Sequence, residues 1–207
     1  MKKVLLSLLL VLFISSIVFA EEDMAEKEES LVMKVGHFEK KEEKIIGTGG
    51  VIVLKGDIEI NAKQLTYYEE EKRAEITNDV HLVHDKGEIS SNTMEAWLED
   101  DRYIFQDNVK MVQNLTDGKF NLTSPYLVLL KEDNSFQAER GVVIDYNERT
   151  LKGEKVLYND QEETLELIGN VYIEEENGDW VKSENAIFYL ETEEFNAEGG
   201  VELEIKI

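Results

Sequence analysis

A valine followed two residues later by a second apolar residue, and preceded by Gly, Asp or Asn, recurs six times in this chain. The anchors are Val51, Val80, Val109, Val142, Val171 and Val201, at intervals of 29, 29, 33, 29 and 30 residues. A second marker travels with them: a small residue at Ala62, Ser91, Ser124, Gly153 and Ser183, with an apolar residue two before it and another three after it. Periods of this size mark stacked supersecondary units, none of which buries its apolar face alone. Whatever the chain folds into is therefore an array of about 29-residue units.

Within each unit the apolar residues alternate with period two. Ile76, Val80 and Leu82 share a face, as do Phe105, Val109 and Met111, and Leu167, Val171 and Ile173. No helical stripe appears beyond the N-terminus, so the chain reads as all-β. The phase then slips: Ile60 and Ala62 have one parity, Leu65 and Tyr67 the other. A one-residue slip exposes the apolar face unless the strand bends, so the small residue and its two polar followers must form a bulge or corner. The single proline, Pro125, stands at this point, and proline is tolerated in sheets at bulges and edges. Polar turns supply the other breaks, and the 33-residue interval is expected to carry its extra length as a loop over Gln113 to Gly118. Bent strands stacked in this way give an open, V-shaped or rolled antiparallel sheet with an apolar trough inside.

The first 20 residues, MKKVLLSLLLVLFISSIVFA, combine two lysines, a 17-residue apolar run and small residues at Val18 and Ala20. They read as a signal peptide, with an uncleaved N-terminal anchor as the alternative, so the protein is expected in the periplasm or facing it. No Cys follows Ala20, which argues against a lipoprotein. Residues 21–30 are an acidic tail, and 31–207 form the repeat domain, with a faded unit around Val32, Val35 and Phe38 as its N-terminal cap. Without the leader, 20 Lys plus Arg face 45 Asp plus Glu. That surface repels nucleic acid and anionic headgroups.

No reaction chemistry stands out. His81 and His84 are three apart on a strand and so fall on opposite faces, which suits surface or edge histidines better than a metal pair. Asp100, Asp101 and Glu174 to Glu176 lack the ligand spacing of a calcium loop. There is no GxSxG, no HExxH and no phosphate-cradling glycine loop, and no cofactor is expected. What remains is the inner row: Ile60, Leu65, Val80, Leu82, Ile89, Met94, Val109, Met111, Leu122, Leu127, Val142, Ile144, Val171 and Ile173. These form either a packed core or the lining of a lipid-binding trough. Val201 to Ile207, VELEIKI, alternates without a cap after it, and with Val32 and Val35 at the other end, Val201, Leu203 and Ile205 are candidate assembly edges.

The units ITNDVHLVHDKGEISSNTMEAWL, FQDNVKM with NLTSPYLVLL, and LIGNVYIEEENGDWVKSENAIFYL resemble the OstA-like lipopolysaccharide-transport superfamily, the LptA, LptC and LptD type of protein, and most of all the LptA type. The resemblance covers about Val32 to Ile207. It implies a β-jellyroll, or β-taco, whose interior shields the acyl chains of lipopolysaccharide between inner and outer membrane. It implies as partners lipopolysaccharide or a related lipid, other OstA-like transport proteins and an end-to-end homo-oligomer, without catalysis. It also favours a trough near the open ends and core elsewhere. The strong acidity implies that an anionic cargo is held by its acyl chains, and the ending at Ile207 that no outer-membrane barrel follows. Two other readings stand beside this one: a secreted structural repeat protein with a packed interior, and a membrane-anchored subunit of the LptC type.

Overall fold

Alternating valine, isoleucine and aromatic residues favour the pleated, half-buried surface of a sheet, and thirteen strands result. The computed structural model describes residues 32–56, 58–85, 87–115, 118–130 and 133–207. The expected leader, the acidic tail and Leu31 lie outside the described residues. In chain order the strands are β1 (Val32–Lys41), β2 (Lys44–Lys55), β3 (Ile58–Tyr68), β4 (Arg73–His84), β5 (Gly87–Trp97), β6 (Arg102–Leu115) and β7 (Gly118–Leu130). They continue with β8 (Ser135–Tyr146), β9 (Arg149–Asn159), β10 (Thr164–Glu175), β11 (Trp180–Tyr189), β12 (Phe195–Glu198) and β13 (Glu202–Glu204). Among the described residues there is no helix.

All pairings are antiparallel between chain neighbours, giving one meandering sheet from β1 to β12, with β13 also pairing β11. Thus β12 and β13 are two halves of one last strand, interrupted at Gly199 and Gly200. Every pairing from β1·β2 to β10·β11 carries a register shift at the same height, for example between Thr77 and Val80 and between Gln106 and Val109. These shifts line up into a corner that divides each long strand into two arms.

The corner is built on both strands of each hairpin. On β2, β4, β6, β8 and β10 two successive residues take positive φ immediately before the valine anchor: Gly49 and Gly50, Asn78 and Asp79, Asp107 and Asn108, Arg140 and Gly141, Gly169 and Asn170. Gly, Asn and Asp tolerate this left-handed backbone best, which is why those types precede each anchor. On the intervening strand the small residue pairs directly with the anchor, as in Val80↔Ser91, Val109↔Ser124 and Val171↔Ser183. Each of these serine hydroxyls donates to the carbonyl two residues on, to Thr93, Tyr126 and Asn185 at 2.8, 3.0 and 2.9 Å. The expected bulge is therefore present, Pro125 sits inside it, and its turning residues include the pair ahead of the anchor.

Two expectations need correction. The extra length after Val109 is not a loop, because β6 runs to Leu115 and β7 begins at Gly118. The hairpin simply has two more residues on each strand beyond the corner than β4 and β5 have. The alternating segment Val201 to Ile207 is also not a strand along its whole length: Glu202 to Glu204 form a last strand paired on one side only, with Lys182 to Trp180, and Ile205 to Ile207 are not in a strand. Past the paired residues, the Lys206 amide donates to Asp179 Oδ1 at 2.8 Å.

Candidate lipid-binding interior

On either side of the corner the inward residues keep one face, so both arms turn apolar side chains toward the same space. On β6 these are Tyr103 and Phe105 before the corner and Val109 and Met111 after it; on β8 they are Phe136 and Ala138, then Val142, Ile144 and Tyr146. All are buried in a single cluster that runs from Val51 to Leu190. All fourteen candidate lining residues belong to it: Ile60, Leu65, Val80, Leu82, Ile89, Met94, Val109, Met111, Leu122, Leu127, Val142, Ile144, Val171 and Ile173. Burying a side chain of this size stabilises by roughly 1.5 to 3 kcal/mol.

The arms meet again at their far ends. The C-terminal ends of β4, β6, β8 and β10 lie along one rim, and those of β3, β5, β7, β9 and β11 along the other. Tyr146, at the first rim, donates its hydroxyl to the carbonyl of Leu190, at the second, at 3.3 Å. Asn147 Nδ2 reaches Glu193 Oε1 at 2.5 Å, and Arg149 Nη1 reaches Glu193 Oε2 at 2.6 Å, both across the mouth. Arg149 also holds Glu175 on its own rim at 2.8 Å and lies over the Phe188 ring. Burial alone would lower the Arg149 pKa, but Glu175 and Glu193 outweigh it and raise it.

Beneath the rims an aromatic row crosses the mouth twice. Tyr158 stacks on Phe136 with centroids 5.2 Å apart, and Phe136 meets Phe120 of the opposite arm edge-on at 6.1 Å. Phe120 then meets Tyr146, and Tyr146 meets Phe188 of the facing arm, again edge-on at 6.1 Å. Such pairs add roughly 0.5 to 1.5 kcal/mol beyond area burial. Burial pushes the Tyr103 and Tyr158 hydroxyls above their ordinary pKa, helped by Asp101 and Asp160 respectively.

Toward both ends of the stack the covering thins. Met33, Val35, Ala62, Tyr67 and Ala74 at the N-terminal end, and Phe195 and Ala197 at the other, are only partly buried against the core. Among the proposed edge residues Val32 is exposed, and Val201, Leu203 and Ile205 are exposed more strongly. The two strand histidines separate as alternation requires: His81 bonds Glu88 on the exposed surface at 2.9 Å, while the His84 side chain is buried beside Asp85.

Sequence reasoning missed the closing residues. Parity alone puts Phe120, Phe136, Tyr146 and Tyr158 inside, but the meeting of the rims depends on the corner angle, which no pattern states. The Arg149 bridge left no signal beyond a basic residue in an acidic turn.

A folded antiparallel meander closed rim to rim over an apolar interior defines a repeat-built β-trough protein. A family model described as "Lipopolysaccharide-assembly, LptC-related" matches residues 55–176, and the chain belongs to that family. No curated protein sequence matches it significantly. Among solved structures it is similar to the crystal structure of LptH from Pseudomonas aeruginosa, described as the LptA homologous periplasmic component of the lipopolysaccharide transport device. Identity is 11%, coverage 87% of this chain and 97% of that one, and the TM-score 0.31. That superposition is too loose to compare sites.

Proposed function

We propose that the protein is a non-catalytic, periplasm-facing carrier in lipopolysaccharide transport, whose interior shields acyl chains while sugars and phosphates stay in solvent. Family membership supports the pathway. The observation that supports the trough is the distribution of burial: the apolar interior is continuous along the stack, sealed in the middle, and only half covered at both ends. Acyl chains entering there gain roughly 0.8 kcal/mol per buried CH₂. The one-sided terminal strands β1 and β13 supply edges for pairing with a second copy or with related transport proteins. Cleavage of the leader gives a soluble bridge, and its retention an anchored subunit; N-terminal sequencing of the mature protein separates these.

The test is to purify the protein from its host, extract it with solvent and identify bound lipid by mass spectrometry. Photo-crosslinking lipopolysaccharide from position 35 or 62 should then succeed, and crosslinking from outward-facing position 110 should fail. A protein that is always lipid-free and has no affinity for added lipopolysaccharide refutes the proposal. It would leave the second reading, a structural repeat protein with a packed interior, which draws support from the complete burial of the fourteen lining residues.

A further inference from the structure

On β6 the inner face of the second arm carries a buried amide that breaks its apolar pattern. On β6, Val109 and Met111 face inward, and the next inward residue is Gln113. It is 1% exposed, yet both its Nε2 and Oε1 are buried without a hydrogen-bond partner. The contrast with the corner is sharp, since Ser91, Ser124 and Ser183 all spend their hydroxyls on backbone carbonyls. A buried amide with neither half satisfied is costly and is rarely retained without a partner.

The surroundings leave the amide turned to the interior. In register, Gln113 stands between Phe120 of β7 and Gly87 of β5. Phe120 offers an apolar ring on the facing side of the ladder, and Gly87 offers no side chain at all. A Cβ at Gly87 would lie 2.3 Å from the Val112 carbonyl oxygen, so that position stays a glycine with no side chain to offer the amide, and beyond it in register stands the buried side chain of His84 on β4. Gln113 is also two residues from Leu115, where β6 ends, and therefore near the mouth.

We infer that Gln113 is a polar recognition point inside the apolar interior, taking the hydroxyl of a hydroxylated acyl chain. A carboxamide presents donors and an acceptor side by side, and a hydroxyl is a small group that engages both, accepting from Nε2 and donating to Oε1. A plain methylene at that position leaves both halves unpaired. Because Gln113 lies near the rim, the hydroxyl it takes is close to the polar end of the chain, as in a 3-hydroxy fatty acyl group. This assignment rests on the acyl-binding reading above and adds a chemical preference to it.

The test is competition by a C14 fatty acid and by its 3-hydroxy derivative for a bound fluorescent fatty acid, on the full mature chain. The wild type should favour the hydroxy acid by about tenfold, the worth of one or two net hydrogen bonds. Gln113→Met and Gln113→Leu should bind the plain acid at least as well as wild type and lose the preference. Melting temperature checks the fold, and neither variant should melt lower, since each removes an unpaired amide. Equal affinity of wild type for the two acids overturns the inference alone, as does a preference that survives in both variants. Failure of the wild type to bind either acid overturns the acyl-binding reading and this inference with it.

Discussion

Replacing Arg149 by methionine cuts the charged contact across the mouth without touching the ladder. The guanidinium is 19% exposed and binds Glu175 and Glu193, which are about a third exposed, at 2.8 and 2.6 Å. A hydrogen bond to a buried charged group is worth about 1.5 to 3 kcal/mol, and an exposed pair about 0.2 to 1 kcal/mol. The exposures here place each bond near 1 kcal/mol, and methionine keeps part of the packing on Phe188, so the loss should be about 1.5 kcal/mol. For a domain of this size about 1 kcal/mol lowers Tm by roughly 2 to 4 °C, so circular dichroism melts should fall by roughly 3 to 6 °C.

The two carboxylates distinguish stability from opening. Glu193→Gln weakens the contact between rims, whereas Glu175→Gln weakens one within a rim. Both should cost about 0.5 to 1 kcal/mol, but only Glu193→Gln and Arg149→Met should speed uptake of a fluorescent apolar probe measured by stopped flow. If Glu175→Gln accelerates uptake as much as Glu193→Gln, or neither changes it, the rims do not part at this contact and the reasoning fails.

Phe120→Ala removes the ring that joins the facing arms, and urea unfolding should show a loss of about 3 to 5 kcal/mol. At Gly141, where φ is 89° and a Cβ would meet nothing within 4 Å, Gly141→Val should cost about 1 to 2 kcal/mol through backbone strain alone; an unchanged urea midpoint would remove the corner argument. Arg73 holds the Glu75 carboxyl below its ordinary pKa by hydrogen bonding. That stability is present above the unfolded value of about 4.3 and is lost as pH falls through the lower folded one. Being partly exposed it is worth under about 1 kcal/mol, so Glu75→Gln should matter at pH 7 and converge with wild type in acid. Leu203→Pro removes an edge residue paired with Val181; light scattering should then show end-to-end oligomers lost, and their persistence excludes this strand as the joint.

Much of this architecture is legible along the chain because the repeat restates it. Alternation through Ile76, Val80 and Leu82 gives the strands and their inward face, and the parity change between Ser91 and Met94 gives the corner. The physical cause of the corner was visible only in part. Gly50, Asp79, Asn108, Gly141 and Asn170 recur in the sequence, but their shared property is a left-handed backbone, a conformation several residue types can take. The loop expected at Gln113 to Gly118 failed for a related reason: polar residues within a strand, inward like Gln113 or outward like Asn114, look in sequence like those of a turn. Closure was not legible at all, because Phe120 and Phe136, or Arg149 and Glu193, meet only when both arms are bent through the same angle.

How the sheet closes decides how it opens. A barrel closes edge strand on edge strand, through ladder hydrogen bonds. Here β1 and the β12–β13 strand are not paired to each other, and the seam is formed by turns meeting across the mouth through Tyr146, Asn147, Arg149 and Glu193. Parting the rims therefore breaks side-chain contacts and leaves every ladder bond intact. Hydrogen exchange should report this directly. In Arg149→Met the amides of β8 to β11 should keep wild-type protection at the corner and in mid-arm, while Leu190 and the turns at 147–148 and 191–194 exchange faster. Loss of protection spread through the whole ladder would mean that the mouth opens only by unfolding, and a carrier could not use it.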